Sequence, residues 1–139
     1  MSNLKHILTI DALNENLNTV MEFVDEQLEL NGCSMKAQMQ IELALEEMFV
    51  NIANYAYEGK PGKADIIFSC NDGVAEITLS DSGKPYDPLK KADPDITLSA
   101  EERKIGGLGI FLVKKNMDSV TYKYEDGKNI FTMSKRITK

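Results

Sequence analysis

Two Asp-Gly turns, each lying between two stretches of strand-forming residues, constrain the fold of this chain more than any other feature of its sequence. The first turn, Asn71-Asp72-Gly73, lies between the stretches 64–70 and 74–80. The second turn, Glu125-Asp126-Gly127-Lys128, lies between the stretches 120–124 and 129–137. Asn, Asp and Gly tolerate the left-handed backbone conformations of tight hairpin turns. The sequence therefore predicts two β-hairpins and a sheet that is mostly antiparallel.

Helical spacing of apolar residues marks three further segments. A first helix is predicted over 13–30, after a strand over 4–10. A second begins after the capping residue Ser34 and ends near Tyr57, with apolar residues spaced by four, three, four and four: Ile41, Leu45, Met48, Ile52 and Ala56. A third helix follows Gly109. This order of elements predicts an α+β, two-layer sandwich, with helices on one face of a mixed, mostly antiparallel sheet.

Length, charge and composition restrict the function. A chain of 139 residues without a long Pro/Gly/Ser-rich stretch fits a single domain, 1–139. A formal net charge of -6 repels nucleic acid and anionic membrane surfaces, so neither is an expected partner. Cys33, Cys70 and the one histidine, His6, form no zinc-binding pattern. With no signal peptide and no membrane-spanning run, we expect a cytoplasmic protein with reduced thiols.

A loop without sustained periodicity separates the first hairpin from the third helix. It extends over 81–104 and contains Pro85, Pro88 and Pro94, although 99–103 fits a short helical turn. Loops of this length inside a domain are commonly lids or binding segments. We therefore expect a lid here.

The second helix carries three polar residues that the helical period places on one strip, Glu47, Asn51 and Asn54. A carboxylate one turn before a carboxamide offers a general base beside a neutral oxygen ligand for Mg²⁺. A solvated helix face is the alternative explanation of the same residues.

Asp81 directly follows the strand 74–80 and precedes a turn through Gly83. A carboxylate at this position accepts a hydrogen bond from the exocyclic amine of adenine, and a glycine lets a ring approach without an intervening Cβ. An ordinary turn is the alternative. Further along, Gly106-Gly107-Leu108-Gly109 precedes a helix whose N-terminus favours phosphate. No P-loop and no Rossmann glycine motif is present.

Together these three segments resemble, in order and spacing, the nucleotide-binding motifs of the GHKL (Bergerat-fold) ATPase superfamily. The segments E-L-A-L-E-E-M-F-V-N-I-A-N-Y-A-Y, D-S-G-K-P-Y-D-P and G-G-L-G-I-F-L-V-K-K-N-M-D resemble those of anti-sigma factor serine/threonine-protein kinases of partner-switching systems. The resemblance covers nearly the whole chain. It implies that ATP and Mg²⁺ are bound, with an ATP lid over about residues 84–105.

Each motif implies roles for residues of this chain. Glu47 is implied to be the general base for a serine hydroxyl, Asn51 a Mg²⁺ and nucleotide ligand, and Asn54 a weaker nucleotide contact. The resemblance also implies nucleotide contacts from the remaining motifs: Asp81 and Gly83 at adenine, Gly107, Leu108 and Gly109 at the phosphates, and Thr132 in support of the adenine contact.

The resemblance further implies a homodimer that phosphorylates a small antagonist protein and sequesters a sigma factor. Two positions depart from the superfamily pattern: Pro85 stands where a second glycine is common, and Tyr55 where a histidine is common. Two alternatives stay open, namely a non-catalytic ATP-binding interaction module of the same fold and an interaction domain without nucleotide.

Overall fold

The strands of the structure pair into one antiparallel sheet. The computed structural model describes residues 4–90 and 108–138. Its strands are β1 (His6–Asp11), β2 (Lys63–Asn71), β3 (Val74–Asp81), β4 (Ser119–Glu125) and β5 (Lys128–Arg136). Their order across the sheet is β1-β2-β3-β5-β4, and every described pairing is antiparallel. Both predicted hairpins are present, β2–β3 and β4–β5.

Three α-helices accompany the sheet in the described part of the chain: α1 (Leu17–Leu30), α2 (Met35–Asn51) and α3 (Leu108–Asn116). A short 3-10 helix, Asn14–Asn16, precedes α1, where the sequence predicted a continuous helix over 13–30. Ser34 caps α2 as predicted, since its Oγ accepts a hydrogen bond of 3.1 Å from the backbone N–H of Ala37.

The end of α2 differs from a regular α-helix. After Asn51 the chain continues as one π-helical segment, Ile52–Ala56, before it leaves the helix at Tyr57. Hydrogen bonds in a π-helix run from i to i+5, so each residue turns through a smaller angle than in an α-helix. Side chains beyond Asn51 therefore point in directions that the α-helical period does not predict.

The apolar core lies between the helices and one face of the sheet. Alternate residues of the strands face this core, and the apolar stripes of α1 and α2 cover them. The largest buried side chains are Val20, Val24, Leu28, Ile41, Leu45 and Phe49 from the helices, and Ile66, Phe68, Ile77, Leu79 and Met133 from the sheet. This arrangement confirms the predicted α+β sandwich with helices on one face.

The predicted lid is described only at its start. A 3-10 helix at Pro88–Lys90 follows the turn after β3. The rest of the lid, including the predicted helical turn at 99–103, lies outside the described residues. In the described ranges, no helix has the length and apolar character needed to cross a membrane.

One partly buried acid lies between α1 and α2. The carboxyl group of Asp25 interacts with Glu42 and Gln38, and its Oδ1 is buried without a hydrogen-bond partner among the described residues. Burial, followed by the interaction with Glu42, raises the pKa of Asp25 from its ordinary value of 3.8 to about 6. The folded chain therefore binds more protons than the unfolded chain between these two pH values.

The sign of this shift gives a stability prediction. Because the folded pKa is the higher one, the contribution of Asp25 is favourable below its unfolded pKa and is lost as the pH rises through about 6. We expect Asp25→Asn to raise the free energy of unfolding at pH 8 by about 1 kcal/mol, with solvent screening allowed for. Denaturant unfolding at pH 4 and pH 8 measures this, and a gain of equal size at both would contradict it.

Candidate functional site

A cavity of about 520 Å³ opens between the end of α2, the end of β3 and the start of α3. Its volume is within the usual range for small-molecule sites, about 300–1,000 Å³. Four of the candidate site residues line this one cavity: Glu47, Asn51, Asp81 and Gly109. Residues from three segments that are distant in sequence therefore meet as predicted.

Glu47 projects from α2 toward the first turn of α3. A Cβ atom added to Gly109 would collide with the carboxylate of Glu47, so the two residues are in close contact. Although Glu47 as a residue is exposed, desolvation of its carboxyl group raises its pKa, and the neighbouring charge of Glu46 raises it further. A carboxylate with a raised pKa is a better proton acceptor near neutral pH than an ordinary glutamate.

Asn51 lies one helical turn after Glu47 and lines the same cavity. No hydrogen bond from another described residue engages its side chain, so the amide oxygen is free to bind a ligand in the cavity. Mg²⁺ typically takes one or two protein oxygens and completes its octahedron with phosphates and water. The amide oxygen of Asn51 fits such an ion as one protein ligand, although the described residues contain no cluster of three or more His, Cys, Asp or Glu.

Asn54 does not lie with Glu47 and Asn51 in the cavity lining. Its Oδ1 instead accepts a hydrogen bond of 2.8 Å from Nδ2 of Asn14, at the start of the short 3-10 helix. The π-helical segment is the physical reason, because it turns Asn54 away from the strip that a regular α-helix would continue.

Asp81 ends β3 and is buried, with 7% of its surface exposed. Its Oδ1 accepts hydrogen bonds from the backbone N–H of Gly83, at 2.8 Å, and from Nδ2 of Asn129, at 3.0 Å. Among the described residues, no hydrogen bond or ion pair engages the other oxygen, Oδ2. The strand end therefore presents an unoccupied acceptor at a cavity that Asp81 lines.

Gly83 does not belong to the cavity lining, although its neighbour Lys84 does. A Cβ atom at Gly83 would collide with the backbone carbonyl of Ala56, and the N–H of Lys84 donates a hydrogen bond of 3.0 Å to that same carbonyl. The glycine is thus needed for close approach of the turn to the end of α2, whereas the sequence suggested approach of a ring.

This contact predicts the effect of Gly83→Ala. The added methyl group meets backbone atoms of Ala56, which cannot rotate away as a flexible side chain can. We expect a loss of about 1–3 kcal/mol in the free energy of unfolding, as for other overpacked sites. Gly59→Ala is the comparison, because nothing lies within 4 Å of its added Cβ but φ is +84°. Thermal unfolding of the two variants separates the effect of the steric clash from that of backbone strain. A smaller loss for Gly83→Ala than for Gly59→Ala would contradict this explanation.

The glycine-rich motif is described only in part. Gly107 lies outside the described residues, Leu108 is the first residue of α3, and Gly109 lines the cavity. The start of α3 therefore borders the cavity, where the partial positive charge of a helix N-terminus favours an anionic group.

Thr132 lies outside the cavity lining, on the face of the sheet that the helices leave open. On β5 it alternates with Phe131 and Met133, which point into the core, and its Oγ1 is 3.0 Å from Oγ1 of Thr78 on β3. The hydroxyl of Thr132 is thus on the opposite side of the sheet from Asp81's cavity, and the structure does not bring it to the predicted adenine contact.

Sequence reasoning missed the buried polar residue Asn129 of the site. It lies opposite Asp81 in the β3–β5 register and lines the cavity. A signal was present in the sequence, since Asn129 occurs in phase with the inward-facing Phe131 and Met133. A polar residue at an inward-facing strand position needs buried hydrogen-bond partners, which marks it as a candidate. The aromatic side chains of Tyr55, Tyr86 and Tyr122 also line the cavity.

Sequence comparisons relate this chain to bacterial protein kinases. It is 28% identical over 104 residues to "Serine-protein kinase RsbW" of Listeria monocytogenes, covering 71% of this chain and 66% of that protein. It is 24% identical over 102 residues to "Serine/threonine-protein kinase BtrW" of Bordetella bronchiseptica, covering 73% of this chain and 72% of that protein. The match thus spans just under two thirds of the Listeria protein.

The fold is also that of a solved structure. The match is to the crystal structure of the RsbU and RsbW domains of Rv1364c from Mycobacterium tuberculosis. It covers 98% of this chain and 33% of the Mycobacterium chain, with a TM-score of 0.68 and 16% sequence identity. The family model of the histidine kinase-like ATPase domain matches residues 10–135. That match includes all three motifs and every described residue of the cavity, and the chain therefore belongs to the histidine kinase-like ATPase domain family.

Proposed function

We propose that this chain is an ATP-dependent protein serine/threonine kinase whose nucleotide occupies the cavity between α2, β3 and α3. The observation that carries the proposal is the convergence of Glu47, Asn51, Asp81 and Gly109 on that cavity. The kinase names of the relatives support the reaction, and family membership supports ATP as the nucleotide.

The adenine ring lies at the β3 end of the cavity. Oδ2 of Asp81 accepts a hydrogen bond from the 6-amino group, because Oδ1 is already engaged by Gly83 and Asn129. Apolar side chains of the cavity lining, Ile52, Leu79 and Phe131, provide contacts for the ring.

The phosphates lie at the N-terminus of α3. The first N–H groups of an α-helix have no intrahelical partner and attract anionic oxygens, which supports phosphate binding at Leu108 and Gly109. The amide oxygen of Asn51 would hold Mg²⁺, which would supply charge neutralisation at the phosphates. The absence of a side chain at Gly109 leaves room for both the Glu47 carboxylate and a phosphate oxygen.

Glu47 takes the proton of the attacking serine hydroxyl. Its carboxylate lies beside Gly109 at the start of α3, which supports a role for Glu47 as the base at the phosphate end of the cavity. Its raised pKa brings proton affinity closer to that needed for a general base at neutral pH. The proton goes to the carboxylate, the serine oxygen bonds to the γ-phosphorus, and ADP leaves with the electrons of the broken P–O bond.

The proposed phosphoacceptor is a small antagonist protein, and the proposed second partner is a sigma factor that the chain sequesters. A homodimer, a cytoplasmic location, and a lid over about residues 84–105 belong to the same proposal. Resemblance in the three motifs supports them. Sedimentation of the purified chain tests the dimer directly.

The reaction is tested by incubating the purified chain with Mg²⁺, γ-labelled ATP and purified candidate antagonist proteins. We expect label on a serine of the acceptor, identified by mass spectrometry, and no transfer in excess EDTA. A parallel thermal unfolding series with ATP reports binding alone, because a ligand at 100 times its Kd stabilises the folded state by about 2.7 kcal/mol. Stabilisation by ATP without transfer to any acceptor would favour the non-catalytic interaction module, and no stabilisation would contradict the nucleotide site itself.

A further inference from the structure

Among the described residues, the side chain of Asn129 makes more hydrogen bonds than any other side chain that lines the cavity. It is the first core-facing residue of β5 and has only 7% of its surface exposed. Both ends of its amide group are engaged, as donor and as acceptor. A buried carboxamide with all its bonds satisfied is held in one orientation.

The amide nitrogen binds β3 and the turn after it. Nδ2 donates one hydrogen bond to Oδ1 of Asp81, at 3.0 Å, and another to the backbone carbonyl of Lys84, at 2.9 Å. The bond from Nδ2 to Asp81 and the bond from the N–H of Gly83, at 2.8 Å, both end on Oδ1 of Asp81 and fix which carboxylate oxygen faces the protein. Oδ2 is the oxygen left for a ligand.

The amide oxygen binds two further elements. Oδ1 accepts hydrogen bonds from the backbone N–H of Tyr86, at 3.1 Å, and from the hydroxyl of Tyr122 on β4. A reversed amide would bring its NH₂ group against two donors, so these partners determine the orientation of the group. Tyr86 and Tyr122 thus ensure that Nδ2 of Asn129 points at Asp81.

We propose that Asn129 is the positioning residue for base selection: by holding Asp81 through Nδ2, it directs Oδ2 to a 6-amino group and makes the cavity selective for 6-aminopurine nucleotides. This inference rests on the proposed ATP site. A purine with a carbonyl at position 6 would place an acceptor against the carboxylate, and one with hydrogen there would leave Oδ2 unpaired. Without Asn129, Asp81 rotates or gains water, and the distinction is lost.

The test compares ATP with purine riboside triphosphate, which lacks the 6-amino group, by calorimetric titration of the full chain. We expect the unmodified chain to bind ATP about 10- to 100-fold more tightly than purine riboside triphosphate. This is the affinity that one hydrogen bond to a charged acceptor typically contributes. Asn129→Asp keeps an oxygen for Tyr86 and Tyr122 but replaces the donor to Asp81 by a second carboxylate. We expect the preference for ATP to fall to within about threefold of equal binding, since little of that hydrogen bond survives.

Asn129→Ala provides a second variant that introduces no charge, and Ser134→Ala provides a matched control on the same strand. Among the described residues, the hydroxyl of Ser134 hydrogen-bonds to that of Ser119, at 2.5 Å, on the open face of the sheet, so its removal should preserve the preference. The melting temperature of each variant shows that it is folded. The readout is the ratio of the two affinities, which a purely structural role would not change.

Three results separate the possible failures. If both Asn129 variants bind the two nucleotides more weakly but retain the full preference for ATP, Asn129 is structural and the inference is wrong. If the unmodified chain binds both nucleotides equally, the Asp81 contact is wrong, and the inference falls with it. If the unmodified chain binds neither, the proposed ATP site fails first.

Discussion

Glu47→Gln is expected to slow phosphate transfer to the acceptor protein by about 10²- to 10⁴-fold, the usual contribution of a general base. The amide has nearly the same shape as the carboxylate and fits beside Gly109, but it cannot take the serine proton. ATP affinity should change little, because no adenine contact is altered. Single-turnover transfer with saturating ATP measures the chemical step apart from binding.

The neighbouring variant Glu46→Gln is the matched control. Glu46 is exposed and outside the cavity lining, but its charge adds to the raised pKa of Glu47. Transfer requires ionised Glu47, so the rate should fall as the pH drops through that raised pKa. Glu46→Gln should keep substantial activity and move this fall to lower pH. Equal rates for Glu47→Gln and the unmodified chain would show that Glu47 is not the base.

Asp81→Asn is expected to weaken ATP binding by about 10- to 100-fold, because the hydrogen bond from the 6-amino group to a carboxylate is lost. The loss is compounded by the buried setting of Asp81, where Gly83 and Asn129 both donate to the same oxygen. An amide there either keeps its oxygen on these two donors and turns its NH₂ group to adenine, or breaks both bonds. Calorimetric titration with Mg²⁺ present measures the affinity.

Asp65→Asn is a suitable control for Asp81→Asn. Asp65 lies on β2 and accepts a hydrogen bond of 2.6 Å from the hydroxyl of Thr9, outside the lining of the 520 Å³ cavity. The substitution Asp65→Asn removes the same charge from the chain as Asp81→Asn but leaves the proposed adenine contact in place. If the two variants bind ATP equally, the role assigned to Asp81 has to be abandoned.

Local patterns in the sequence predicted much of the fold. The hairpin turns are encoded by Asp72-Gly73 and Asp126-Gly127, and all four residues have positive φ in the structure. The side chain of Ser34 and the apolar spacing along α2 likewise depend only on nearby residues. Such features are set by backbone conformation and helical period, which a single sequence displays directly.

The site was predictable where a residue acts from a regular element. Glu47 and Asn51 are one α-helical turn apart, so the period placed them together correctly. Asn54 was placed wrongly because the π-helical segment changes the angle per residue, and nothing in its own sequence marks that change. Thr132 could have been assigned to the open face, since strand alternation puts it out of phase with Phe131.

Contacts between distant segments could not be predicted. The pairing of Asp81 with Asn129 depends on β3 lying beside β5. This is one of several strand orders that the connections between the strands would allow. The need for glycine at position 83 depends on where the carbonyl of Ala56 lies after the helix ends. Both are consequences of tertiary packing, and each became visible only in the structure.

A crystal structure of the chain with Mg²⁺ and a non-hydrolysable ATP analogue tests the central claim most directly. We expect the 6-amino group within hydrogen-bond distance of Oδ2 of Asp81, the phosphates at the start of α3, and the metal on Oδ1 of Asn51. A nucleotide bound on another surface, with the cavity between α2, β3 and α3 empty, would contradict the account.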